Sequence, residues 1–214
     1  MSSIKIKVRA ALLRTFLERS VRRFLYARMS HEQSASILTA VWRHYDEAAP
    51  HVPTTESVGP TLVLHLAAVT LAFHQALIDA GYDDEASTQL VSDVAWVVYR
   101  KMGACAWLLS RLAHKDEFER IRVATRIFRR FPFSSPGYQW KEISGAPNTV
   151  AFDCTRCPAA EYFASRNRAG LCVRTFCKLD FPLAEDWGAE LERTGTIAGG
   201  AERCDFRWRV AHPG

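Results

Sequence analysis

Six cysteines occur in the chain, and five of them, Cys154, Cys157, Cys172, Cys177 and Cys204, fall after position 150. A clustered set of this kind points to metal binding or thiol chemistry rather than to the disulfide framework of a secreted scaffold. The segment Cys154-Thr-Arg-Cys157-Pro158 is the most informative. Proline favours the first position of a helix, so Pro158 places Cys157 at the N-cap, where unpaired N–H groups and the helix dipole favour a thiolate. A thiolate is a nucleophile. Glu161 follows four residues on, one turn along, a spacing that suits proton transfer or the orientation of water. The plain alternative is a buried, inert cysteine beside a solvated glutamate.

Cys177 and Asp180 stand together in Cys177-Lys-Leu-Asp180, and Cys204 opens a segment in which period-2 alternation turns Cys204, Phe206 and Trp208 to one face and Asp205, Arg207 and Arg209 to the other. Cys204 then points inward, and Cys157, Cys177 and Cys204 are expected to converge at one end of a sheet. Zinc is the rival reading. Cys154-x-x-Cys157 has the spacing of a zinc half-site that Cys172, Cys177 or Cys204 can complete. Against it, there is no second C-x-x-C, and the pair straddles a strand-to-helix junction. No cofactor is therefore expected. His65 and His74, nine residues apart on one helix, fall on opposite faces and cannot share a site; His44 and His74 each read better as satisfied core residues. Glycine-rich phosphate loops, Gly-x-Ser-x-Gly, His-Glu-x-x-His and paired-aspartate calcium loops are absent from the sequence.

The elements that must hold these residues change character along the chain. From Ile4 to Met29, Val8, Leu12, Leu13, Phe16, Leu17, Val21, Phe24 and Leu25 recur at helical spacing among arginines, a basic amphipathic helix. Ser30, with Gln33 three residues on, is a capping box for a second helix through Tyr45. A turn-rich connection at 47–60 leads to a helix over Thr61–Ala80 that Gly81 ends, and Asp83 and Asp84 open a long helix to about Ala113. A further helix spans Asp116–Arg130, with Phe118, Ile121, Val123, Ile127 and Phe128 inward and Arg120, Arg122, Arg126, Arg129 and Arg130 mostly outward. Past Pro132 and Pro136 the period shortens to that of strands, over Tyr138–Ile143, Thr149–Cys154, Ala189–Ile197 and Cys204–Val210. The expected fold is α+β, a helical N-terminal layer on a C-terminal antiparallel sheet with one or two short helices. A soft boundary divides a helical region, 1–131, from the cysteine-bearing region, 132–214, in one continuous unit.

Composition narrows the partners. The chain has 214 residues, 48% hydrophobic and 24% charged, the balance of a globular protein. Its net charge of +5 is less than the +7 carried by residues 1–30 alone, so the rest is slightly acidic, which argues against nucleic-acid binding. The basic helix suits its own domain, or contact with a membrane surface or a partner. Charged residues interrupt any signal-peptide pattern, and the best apolar stretch, Thr61 to Ile78, carries His65, His74 and Gln75, so a cytoplasmic protein is expected.

Three segments together carry a resemblance: Phe152-Asp-Cys-Thr-Arg-Cys157-Pro-Ala-Ala-Glu-Tyr-Phe163, Thr175-Phe-Cys177-Lys-Leu-Asp180 and the run from Arg193-Thr-Gly-Thr to Cys204-Asp-Phe-Arg207. With Ala76 to Ala86 and the helix after it, they resemble the L-2-amino-thiazoline-4-carboxylic acid hydrolase family over about two-thirds of the chain. The resemblance implies a hydrolase that opens a small nitrogen/sulfur heterocycle with water, on a route to cysteine through a carbamoyl intermediate. Cys157, Glu161, Cys177, Asp180 and Cys204 then become the candidate catalytic residues. Arg207 and Arg193 are candidate clamps for a substrate carboxylate. The arginine-rich N-terminal helix departs from the pattern, and Cys172 looks additional. The competing class is a non-catalytic sensor-type domain that holds a small ligand or a metal.

Overall fold

The computed structural model describes residues 3–211, the side chains of residues 3–13 and of Phe16 excepted. Helices α1 (Ser3–Tyr26), α2 (His31–Ala48), α3 (Val58–Asp79), α4 (Asp84–Ala113) and α5 (Glu117–Arg130) form the N-terminal layer. The C-terminal part holds strands β1 (Gln139–Glu142), β2 (Thr149–Arg156), β3 (Ala189–Glu192) and β4 (Cys204–Val210), with short helices α6 (Pro158–Ala164), α7 (Ala169–Thr175) and α8 (Asp180–Asp186) between β2 and β3. The fold is α+β, with three short helices where one or two were expected.

Local chemistry explains most of the boundaries. Ser30 accepts from the Gln33 N–H while the Gln33 side chain accepts from the Ser30 N–H, so the capping box is complete. Asp83 and Asp116 cap α4 and α5 through the N–H groups of Ala86 and Glu119. Gly81, at φ +89°, takes the left-handed position after α3. The connection before α3 is shorter than its Pro and Gly content suggested. Pro60 stands in the first turn of α3, where a missing N–H costs nothing, and Gly59 lies so close to the Pro132 carbonyl that a Cβ would collide with it. Strand β3 stops at Glu192 instead of running to Ile197, because the Asp205 carboxylate accepts from the N–H groups of Thr194 and Gly195 and from the Thr194 hydroxyl, bending the chain away.

Neighbouring strands in the order β1-β2-β4-β3 are all antiparallel, and Cys154, Phe152 and Val150 of β2 stand opposite Cys204, Phe206 and Trp208 of β4. One apolar cluster joins α1–α4 to α6 and α7, and another joins α4, α5 and α8 to the sheet, so each draws on both sides of position 132. Leu17, Val21 and Leu25 of α1 are buried in the first cluster. The side chains of Lys5, Lys7, Val8, Arg9, Leu12, Leu13 and Phe16 lie outside what the structure describes. Helix α3 is long and apolar enough to cross a membrane by length and composition, and half of its most apolar window is buried inside the protein.

Candidate functional site

A cavity of about 200 Å³ lies between the helical layer and the sheet. Its wall includes Cys154, Cys157, Cys172, Cys177 and Cys204 together with Asp180 and Arg193, so three separate sequence motifs meet at one place. Cys105, the remaining cysteine, is exposed on α4.

Cys157 is the N-cap of α6, as its place before Pro158 implies, and its sulfur accepts from the Ala160 N–H at 3.5 Å. Burial nevertheless dominates. It pushes the Cys157 thiol up to about 12, against the helix N–H groups that favour the thiolate, so Cys157 holds its proton at neutral pH. The buried Tyr138 hydroxyl is held well above its ordinary range by burial first and then by the Cys157 sulfur it hydrogen-bonds.

The acidic thiol is Cys204. Directly across the β2–β4 pair, the Cys154 thiol has the Cys204 sulfur and the Arg156 carbonyl, 3.1 Å away, as acceptors for its single proton. The Cys154 hydrogen bond, the Ile197 N–H at 3.3 Å and the Arg193 cation together draw Cys204 below the usual cysteine range, although burial opposes them. Cys154, in turn, is pushed up by its bond to Cys204 and by burial. Cys172 is likewise raised, by a hydrogen bond to Cys177 and by burial.

Beside the thiols stands a closed polar group. Tyr99 donates to Asp180 Oδ1 at 2.6 Å, and Arg193 donates to Asp180 Oδ2 at 2.6 Å and to the Cys177 carbonyl at 2.5 Å. The Arg193 side chain is 3% exposed. Burial raises Asp180 above the ordinary carboxylate range, while Arg193 and Tyr99 pull the other way. With both oxygens engaged, Asp180 fixes Arg193 and Tyr99 in the cavity wall.

Two expected site residues lie elsewhere. Glu161 is exposed and paired with Arg156 at 2.9 Å, because an N-cap side chain turns back over the helix end while a residue one turn on faces outward. Arg207 lies on the other face of β4, bound to Asp153 at 2.9 Å and to the Phe152 carbonyl, as strand alternation requires. The histidines are engaged away from the cavity: His44 with Asp79, His65 with Tyr45, His74 with Thr88 and Asp84. Among the described residues no three His, Cys, Asp or Glu side chains come together in a way that would hold a metal ion. The thiols sort into the hydrogen-bonded pairs Cys154–Cys204 and Cys172–Cys177.

Arg129 belongs to the arginine stripe of α5 that is expected to face mostly outward, yet it lines the cavity. Its guanidinium sits 4.2 Å over the Phe152 ring, one nitrogen binds Glu142 at 2.5 Å, and its Nε is buried without a partner. Helical spacing alone could not reveal this, because α5 lies on the sheet and the edge of its arginine stripe is covered by Phe152.

The model of the L-2-amino-thiazoline-4-carboxylic acid hydrolase family matches residues 64–208, which include every element that lines the polar end of the cavity. The chain belongs to this family. No curated protein and no solved structure matches it.

Proposed function

Starting from membership of this hydrolase family, we propose that the chain opens the ring of a 2-amino-thiazoline-type substrate inside the cavity, with Cys204 as the nucleophile. The observation that carries this reading is the convergence of Cys157, Cys177, Cys204, Asp180 and Arg193 on one enclosed space. The Cys204 thiolate attacks the amidine-like ring carbon and forms a carbon–sulfur bond to the protein. One ring bond from that carbon breaks, and the departing heteroatom takes the proton of Cys157. A water then adds to the same carbon and expels the Cys204 sulfur, its proton returning to Cys157, so the net change is the addition of one water. Asp180 and Tyr99 hold Arg193 near the developing charge. In this scheme Cys157 serves as the acid that its raised pKa equips it to be, and Glu161 and Arg207 have no part.

The test is incubation of purified protein with 2-amino-thiazoline-4-carboxylate, following loss of the ring and gain of one water in mass. Ring opening that Cys204→Ala abolishes supports the reading. Ring opening untouched by Cys204→Ala overturns the nucleophile.

One observation favours a second reading. The cavity wall is mostly apolar, as a ligand-holding sensor-type domain requires. Tight retention of a small molecule that is never converted would decide for it.

A further inference from the structure

Cys154 and Cys204 are direct partners in the antiparallel β2–β4 pair, and both line the cavity. Directly opposed residues in such a pair hold their Cα atoms about 4.5 or 5.5 Å apart, according to whether they exchange backbone hydrogen bonds. A disulfide spans Cα atoms about 4.4–6.8 Å apart. Either arrangement is within reach of the bond, and closing it needs rotation of two side chains and no shift of the strands. The hydrolase chemistry does not use this relationship, since it gives Cys154 no more than a hydrogen bond to the nucleophile.

The other thiols of the wall are engaged elsewhere: the Cys157 sulfur accepts from the Ala160 N–H, and Cys177 is the hydrogen-bond partner of Cys172. The Cys204 sulfur accepts from the Ile197 N–H at 3.3 Å and feels the Arg193 cation, which favours the thiolate that oxidants attack. Cys154 is 2% and Cys204 6% exposed, so an oxidant that reaches them has to fit a cavity of about 200 Å³. We propose that Cys154 and Cys204 are a modification site, closing into a reversible disulfide when a small hydroperoxide enters the cavity, and that this bond switches ring opening off. The Cys204 thiolate attacks one peroxide oxygen, the O–O bond breaks, and Cys204 becomes a sulfenic acid. The Cys154 sulfur then attacks the Cys204 sulfur; the S–S bond forms, the S–O bond breaks, and the oxygen leaves as water. Counting the proton that Cys204 had given to solvent, two thiols lose two hydrogens and one hydrogen peroxide becomes two waters. The loss of ring opening rests on the reading of Cys204 as the nucleophile, whereas the disulfide rests on the strand pair and the cavity.

Trypsin puts each cavity cysteine on its own peptide: Cys154 in 142–156, Cys157 in 157–166, Cys172 in 169–174, Cys177 in 175–178 and Cys204 in 204–207. Purified protein is treated with stoichiometric hydrogen peroxide, alkylated under denaturing conditions, digested and weighed. The expected product joins 142–156 to 204–207, is two hydrogens lighter than their sum, and separates with dithiothreitol. Ring opening should fall in proportion to the linked fraction and return on reduction. Cys204 joined to Cys157 or Cys177, or carried on to the sulfinic acid, overturns the pairing. Equal linkage by oxidised glutathione, which is too large for the cavity, overturns the choice of oxidant. In Cys154→Ser, peroxide should drive Cys204 to the sulfinic acid and the loss should no longer reverse; a loss that still reverses overturns Cys154 as the partner. The wild-type map decides the pairing however that variant folds. Linkage in a chain that opens no ring before treatment overturns the hydrolase reading and leaves the disulfide. Ring opening that survives full linkage overturns Cys204 as nucleophile, and with it the switch.

Discussion

Cys154 and Cys204 face each other across the central strand pair, and the proton shared between them, with the Ile197 N–H, leaves Cys204 the more acidic sulfur. Cys157, on the neighbouring helix end, is pushed the opposite way by burial. In the proposed mechanism the two thiols divide the work of nucleophile and acid.

This division sets a pH profile. If ring opening follows the proposed mechanism it requires Cys204 ionised and Cys157 protonated, so the rate rises as pH passes the lowered Cys204 value and holds until Cys157 deprotonates at about 12. The expected profile has an acid limb below the ordinary thiol value of about 8.5 and no alkaline limb below about pH 10. An alkaline fall near neutrality would remove Cys157 from the acid role.

Glu161 and Asp180 separate by substitution. Glu161→Gln, exposed and paired only with Arg156, should leave ring opening within about two-fold of wild type. Asp180→Asn leaves the buried Arg193 cation unpaired and should cost about 3–5 kcal/mol. For a domain of this length the melting temperature then falls by on the order of 10 °C. Equal melting temperatures for Asp180→Asn and wild type would show that Arg193 finds water.

Acid should loosen the helical layer through its histidines. Burial lowers His65, whose Nδ1 is 2.9 Å from the Tyr45 hydroxyl, and His74 is lowered by burial as well. The unfolded chain takes up these protons near 6.5 and the folded chain only below that, so their contribution is complete above about 6.5 and lost as pH falls through the lower folded values. Urea midpoints between pH 8 and pH 5 should drop, and His65→Gln should flatten the slope. An unchanged slope in that variant would assign the acid sensitivity elsewhere.

Gly59→Ala tests how α3 is seated. The added Cβ meets the Pro132 backbone, which cannot rotate aside as a side chain can, and the expected loss is about 1–3 kcal/mol. Wild-type stability in this variant would mean that the first turn of α3 shifts freely.

What could be read before the structure was local. Ser30, Asp83, Asp116 and Gly81 act on N–H and carbonyl groups within a few residues of themselves, and each sits where its chemistry demands. Cys157 at the N-cap and Cys204 on the inward face of β4 were legible for the same reason. The pairing of Asp180 with Arg193 crosses 13 residues and a strand, and no spacing rule reaches it. The failure at Glu161 has a different origin: one-turn neighbours share a face inside a helix, whereas an N-cap residue lies outside it. Burial of Cys157 is a tertiary effect, and it outweighs the helix end that the sequence displays.

The cavity wall is also the protein's core: Phe73, Val91, Val98, Leu183 and Trp208 are all at most 8% exposed. Enzymes that carry specificity on surface loops can exchange it at little cost to the scaffold. With this cavity as the proposed substrate site, a change of substrate has to pass through residues that hold the layers together, and each large-to-small replacement costs about 2–5 kcal/mol against a total of about 5–15. Divergence to new substrates should therefore proceed by volume-conserving swaps, or by enlargements matched with a reduction across the cavity, and relatives with different substrates should differ in paired core positions more than in their loops.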